Sequence, residues 1–303
     1  MQTVVELEGV NGEWFTLAGL NEGDRGVYLG TGVTGLYDPP VKVVYEEPGN
    51  FPGARYLNHR ILRRDIVFGV EILNDKHDSW LSRDSEWRKA WAFDRTCKLY
   101  ITTQESGTRY LKLALGESPD ISLFNDPNGN SVNRAGMVCI AGDPFWYEED
   151  VVYTAVTQED TTDHTTEDPH TETLYIEVDP VDGRGGLNPT DQYVFVKWIL
   201  PAPAKWTIPD YSFEDPALAN RRIVMPTLIT GEDCVVDTDP RVEQVVAEND
   251  ALVWARMNGV RFRHPIPPYT ESKTFEITVS GCAAGQMVAL RIPRPWSRPW
   301  GLH

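Results

Sequence analysis

In the stretch "TQEDTTDHTTEDPHTET", Thr157 to Thr173, the residues Asp163, His164, Glu167, Asp168 and His170 stand close together. Imidazole and carboxylate are metal-ligating groups, and His164 and His170 are spaced so that both could reach one ion. A metal centre also needs rigid elements and an outer layer of hydrogen bonds to orient its ligands. This stretch holds no aliphatic or aromatic residue to build either, so no bound metal is expected. A second acidic run, "DPNGNSVN" from Asp126 to Asn133, sets Asp126, Asn128 and Asn130 at the alternating spacing of a calcium loop. Its glycine is misplaced for that loop, and Met137 stands where the bidentate Glu belongs. A turn on Asn128-Gly129 is the better expectation. The glycine-rich "DGRGGLNPTD", Asp182 to Asp191, lacks the Gly-Lys-Ser/Thr ending of a phosphate cradle and precedes a strand, so it reads as a loop.

Nucleophilic chemistry has no better support. There is no G-x-S-x-G elbow, and His59, His77, His264 and His303 fall in predicted loops. With 45 acidic residues, a neighbouring carboxylate pair is inevitable and carries no information. Cys97, Cys139, Cys234 and Cys282 form no C-x-x-C pair; the first three read as small core residues, and Cys282 as part of a turn. No catalytic residue, cofactor or metal is expected.

Binding chemistry is richer at the end of the chain, "PRPWSRPWGLH". Pro293, Pro295 and Pro299 hold this segment extended, near polyproline II. Trp and Arg dominate interface hot spots, which makes Trp296, Arg298 and Trp300 candidate partner-binding residues. The competing reading has them fold back and cover an edge of their own sandwich.

Almost every element that would position such residues is a strand. "VVELEG" and "EWFTLAG" form an opening hairpin about Asn11-Gly12, and Cys97–Leu115 a second about Ser106-Gly107. "VKVVYEE", "RDIVFGVEIL" and "MVCIAG" are further strands. One helix is expected, about Ser79–Phe93, with Trp80, Trp87 and Trp91 as its core stripe. After the Thr/Asp/Glu/His stretch come "LYIEV", "YVFVKWIL", "WTIPD", "RRIVMPTL", "DCVVDTD", "ALVWARM", "TFEITVSG" and "MVALRIP" at sandwich-like spacing. The expected fold is therefore all-β. Two β-sandwich domains, residues 1–156 and 174–303, flank an acidic linker, 157–173, with one short helix in the first.

A length of 303 residues accommodates two domains, and the 41% hydrophobic content is that of a folded protein. No run suits a membrane helix, and "MQTVVELEGV" lacks the layout of a secretory signal, so assembly in a cytoplasm is expected. A formal charge of −17 argues against binding nucleic acid through its phosphates. It suits a conduit that DNA must leave without sticking.

The sequence resembles the distal tail proteins of long-tailed, non-contractile bacteriophages, and in particular minor tail proteins of phages that infect actinobacteria. In the first half the resemblance rests on "GARYLNHRILRRDIVFGVEIL", the Trp-bearing helix, "FDRTCKLYITTQESGTRYLKLAL" and "VCIAGDPFWYEE". In the second it rests on "RRIVMPTLITGEDCVVDTDPRVEQV", "NGVRFRHPIPPYT" and "RIPRPWSRPWGL". It implies an N-terminal sandwich that forms a hexameric ring at the end of the tail tube and a galectin-like C-terminal sandwich outside it. It also implies a virion tail-tip location, with the tail tube protein and a tail-tip hub protein as neighbours. The tape-measure protein and DNA would pass through without specific binding, and no membrane insertion is implied. No catalytic residue carries over. The main rival is a carbohydrate-binding module using Trp206, Trp254 or Trp296 as an exposed platform. A cell-wall hydrolase would need a cleft holding a perturbed acid pair.

Overall fold

The computed structural model describes residues 3–50, 52–74, 79–121, 132–162, 170–183 and 185–302. The chain forms two compact units: Met1–Glu148 together with Trp296–His303, and Glu149–Pro295. Each is a β-sandwich.

In the first unit, β1 (Val4–Glu8) and β2 (Trp14–Ala18) make the opening hairpin, with Gly12 in the left-handed conformation its turn requires (φ 80°). Then come β3 (Val27–Leu29), β4 (Val41–Glu46), β5 (Arg55–Ile61) and β6 (Arg64–Leu73). The helix α1 (Trp80–Lys89) starts where the Ser79 side chain accepts the Ser82 N–H at 3.2 Å, and its last turn carries Arg88 and Lys89. Strands β7 (Cys97–Thr103) and β8 (Gly107–Leu115) pair from Cys97↔Leu113 to Thr103↔Gly107, the second expected hairpin. They are followed by β9 (Asp120–Ile121), β10 (Val132–Ala141) and β11 (Trp146–Val156).

One sheet runs β2-β1-β7-β8 and meets the start of β11 at Tyr147↔Tyr110; the other runs β3-β6-β10-β9. The last residues of β8 also pair with β10, which joins the two sheets. Alternation does the packing: along β6 every second side chain, from Arg64 to Ile72, is buried. Leu7, Phe15, Ile101 and Leu113 from one sheet meet Phe68, Ile72 and Met137 from the other, and Trp80, Trp87 and Trp91 close the core as expected. Trp87 lies edge-on to Phe15 at 5.2 Å.

Strands β4 and β5 are the exception. Among the described residues they pair only with each other, and every residue of the two strands but Ile61 is exposed.

The second unit contains the later part of β11, β12 (Thr171–Val178), β13 (Lys197–Leu200), β14 (Lys205–Pro209) and β15 (Arg222–Val224). It continues with β16 (Cys234–Asp237), β17 (Val245–Ala247), β18 (Lys273–Ser280) and most of β19 (Met287–Trp296). One sheet runs β12-β18-β14-β15; the other includes β17-β16-β13-β19. Leu174, Ile176, Trp198, Trp206, Phe275 and Leu290 fill the space between.

Three expectations change. The segment 157–173 is not a free linker where it is described. Thr157 and Thr161 are buried, their hydroxyls donating to the carbonyls of Ala283 (3.0 Å) and Cys282 (3.2 Å), and Thr171 already begins β12. Glu172 is buried as well and accepts the Gln158 N–H at 2.8 Å. Polar side chains anchor this segment by hydrogen bonds, which a composition without apolar residues conceals. "ALVWARM" is no strand but contains a 3-10 helix, Val253–Met257. The last eight residues belong with the first unit, not the second. Strand β19, which lies between β13 and β11, runs on through Pro293 and Pro295; its pairing with β13 covers only Ala289 to Arg291, so neither proline owes β13 an N–H.

Candidate interaction surfaces

Asp163, His164, Glu167 and Asp168, of metal-ligating type but with no metal expected on them, lie outside the described residues, as do Asp126, Asn128, Gly129 and Asn130. His170 is described and pairs with Glu159 at 2.9 Å. The four cysteines are free and buried, and burial pushes the thiols of Cys139 and Cys234 up to about 12. Gly183, Gly185 and Gly186 form a loop, where the carbonyls of Gly186 and Leu187 accept the buried Arg294 guanidinium at 2.6 and 2.5 Å.

The C-terminal tail is latched onto the first unit. Trp296, 2% exposed, joins that unit's core, and the buried Arg109 guanidinium lies 3.8 Å from the centre of its ring. Arg109 also donates to Glu148 and to the carbonyls of Arg298 and Gly301, each at 3.0 Å. Arg64, wholly buried, reaches the carbonyls of Leu36 (3.0 Å), Tyr37 (2.9 Å) and Ser297. The Arg298 guanidinium pairs with Asp38 at 2.6 Å and sits 4.6 Å over the Tyr37 ring, which Trp300 approaches at 5.6 Å. Gly301 donates to the Ser106 hydroxyl at 2.8 Å. Two buried arginines thus hold the tail by its backbone. Trp296 is therefore unavailable as an anchor for a partner, while Arg298 and Trp300 keep part of their surface in solvent.

Two other features of the first unit face outward. On the sheet β2-β1-β7-β8, Trp14, Tyr100, Tyr110 and Tyr147 form a row with ring centres 4.9, 5.6 and 6.0 Å apart. Trp14 is 44% exposed. The Tyr100 hydroxyl donates to Glu8 at 2.8 Å and, with Lys98 at 3.0 Å, holds that carboxyl below its ordinary range. The second feature is the β4–β5 hairpin, with Val41, Val43, Tyr45, Tyr56 and Leu57 all exposed.

In the second unit, Trp206 is buried and donates to the Pro201 carbonyl at 2.8 Å. Trp254 differs. It is 49% exposed and lines a recess of about 170 Å³ with Glu243, Val245, Met257, Val260 and Arg261.

No family model matches the sequence. The chain is 56% identical to the minor tail protein Gp27 of Mycobacterium phage D29 and 57% identical to that of Mycobacterium phage L5, each over 99% of both chains. The chain belongs to the Gp27 family of phage minor tail proteins. In fold, the chain resembles the Dit protein of phage SPP1, with a TM-score of 0.57 and 10% identity over 97% of this chain and 99% of that one. A chain of the phage P2 baseplate in its activated conformation with Ca gives a TM-score of 0.54 and 12% identity, over 97% of this chain and 98% of that one. The all-β, two-sandwich architecture is thus that of Dit and baseplate proteins.

Sequence reasoning missed Arg64 and Arg109 as holders of the tail. Both stand at inward positions of strands that otherwise carry apolar residues, β6 and β8, and that mismatch is the signal that could have found them.

Proposed function

We propose that this Gp27-family chain is a structural, non-catalytic component of the virion tail tip, assembled in the host cytoplasm. Six copies form a ring through the first unit, join the tail tube protein to a tail-tip hub protein, and leave a channel. The tape-measure protein and then DNA pass through that channel. The second unit is the galectin-like domain outside the ring. The observation that carries this reading is the full-length identity to minor tail proteins. The Dit-like fold, from a protein whose structure is described as a paradigm of a hub adsorption apparatus, supports the place at the tip. The charge of −17 supports a lumen that releases DNA, since few phosphates would find a cation to displace their counterions. A closed ring needs two unlike faces on each subunit, and the first unit offers two unlike surfaces.

Native mass spectrometry over a range of concentrations, with negative-stain images of the same sample, tests the ring. Six-copy species with a central hole are expected. An open chain of copies, or a closed ring of another number, contradicts it.

Trp254 favours a second role for the outer domain. A half-exposed indole beside Glu243 and Arg261 has the apolar face and polar neighbours that a sugar ring requires. Titration with host cell-wall glycans should quench tryptophan emission in the native chain and not in Trp254→Ala. Equal quenching in both, or none in either, removes this role.

A further inference from the structure

The β4–β5 hairpin spends apolar surface on solvent. Cross-strand partners Val41↔Ile61 and Val43↔His59 share one face, and Leu57 follows on β5 at the irregularity between Val44 and Tyr45. Tyr45 and Tyr56 pair on that same face, their ring centres 6.0 Å apart, while the opposite face pairs Lys42 with Arg60 and Glu46 with Arg55. An isolated two-stranded hairpin is marginal in water, and this one adds unpaired backbone edges to exposed valines and leucine. Such a hairpin is built to be covered.

Its charge says by what. The two strands hold Lys42, Arg55 and Arg60 against the single acid Glu46, within a chain of net charge −17. A second copy of this chain is the acidic body that such an arm would seek. The aromatic row offers the complementary chemistry: Trp14, 44% exposed, leads a row whose Tyr100 and Tyr110 rings already carry Lys98 at 6.0 and 5.6 Å, with Glu6 on the neighbouring strand β1. Hairpin and row are unlike surfaces on one unit, as a head-to-tail contact demands. We propose that the β4–β5 hairpin of each copy docks on the Trp14–Tyr100–Tyr110 row of the next. This rests on the ring reading above and names the surfaces that would close it.

The test uses the full chain with benzoylphenylalanine at Leu57, irradiated and digested, beside native mass measurements of the wild type, Val43→Asp/Leu57→Asp and Trp14→Ala. A covalent dimer whose adduct maps to peptides of β2, β7 or β8 is expected. Both variants should need at least about tenfold more protein to assemble, which corresponds to about 1.4 kcal/mol. The melting temperature of Val43→Asp/Leu57→Asp should stay at the wild-type value, because the altered hairpin side chains are exposed. If rings form but the adduct lies elsewhere, or the variants assemble like the wild type, the docking proposal fails and the ring reading stands. If the wild type forms no ring, the ring reading fails in solution. The adduct then decides alone: irradiated chains that remain monomeric overturn the docking as well.

Discussion

At the scale of single residues, this molecule places its charged groups where backbone needs them. Asp210 is the clearest case in the second unit. Its buried carboxylate faces the Arg221 guanidinium and accepts the backbone N–H groups of Arg263 and His264, at 3.2 Å each. Removing it strands a partly buried guanidinium and two amides at once. We expect Asp210→Ala to destabilise the second unit by at least about 2 kcal/mol, read as a lower melting temperature for that unit. His264 beside it supplies a pH prediction. Desolvation, and then the Arg221 charge, hold its imidazole below the ordinary value, so the unfolded chain takes up the proton first as pH falls. Stability from this residue is present above the unfolded imidazole range, about pH 6.5, and drains away below it. The melting temperature of the second unit should drop between pH 7 and 5.5, and drop less in His264→Asn; equal drops would contradict this. Arg64 and Arg109 show why such roles are hard to read from sequence. Arg109 and its acceptor at Arg298 are 189 positions apart, and no local pattern links them.

Elements are easier to foresee when their signals are local. Asn11-Gly12 and Ser106-Gly107 lie in tight turns because glycine relieves the turn of a Cβ, and both hairpins formed about them. The spacing of Trp80, Trp87 and Trp91 likewise placed α1 and its buried side, although the helix ends at Lys89 and Trp91 enters the core just beyond it. The acidic stretch misled because Thr157, Thr161 and Glu172 are fixed by hydrogen bonds to distant backbone, not by apolar burial. The tail misled for a related reason: its prolines did foretell an extended chain, but its landing site is on the first unit. That placement makes a prediction at this scale. A chain ending after Pro295 loses a buried tryptophan and leaves Arg64 and Arg109 short of acceptors, which should cost the first unit more than about 3 kcal/mol. Calorimetry should show the first unit's transition move down while the second's holds. An unmoved first transition would mean that the tail is not part of that core.

For the whole molecule, all-β architecture and the absence of a recognisable catalytic motif were legible from composition and strand spacing, and the resemblance supplied the tail-tip setting. The identity to phage minor tail proteins makes a structural role in the tail the central claim. Which surfaces would join one copy to the next could not be read from the sequence pattern, because exposed residues such as Val43 and Leu57 look in sequence like ordinary strand residues. Reconstruction of intact tails by cryo-electron microscopy, with an antibody fragment against the second unit as a marker, tests the claim most directly. Six fragments are expected around the tail axis at the tip, below the end of the tube. Fragments spaced along the shaft, gathered at the head-proximal end, or absent from the virion would contradict it.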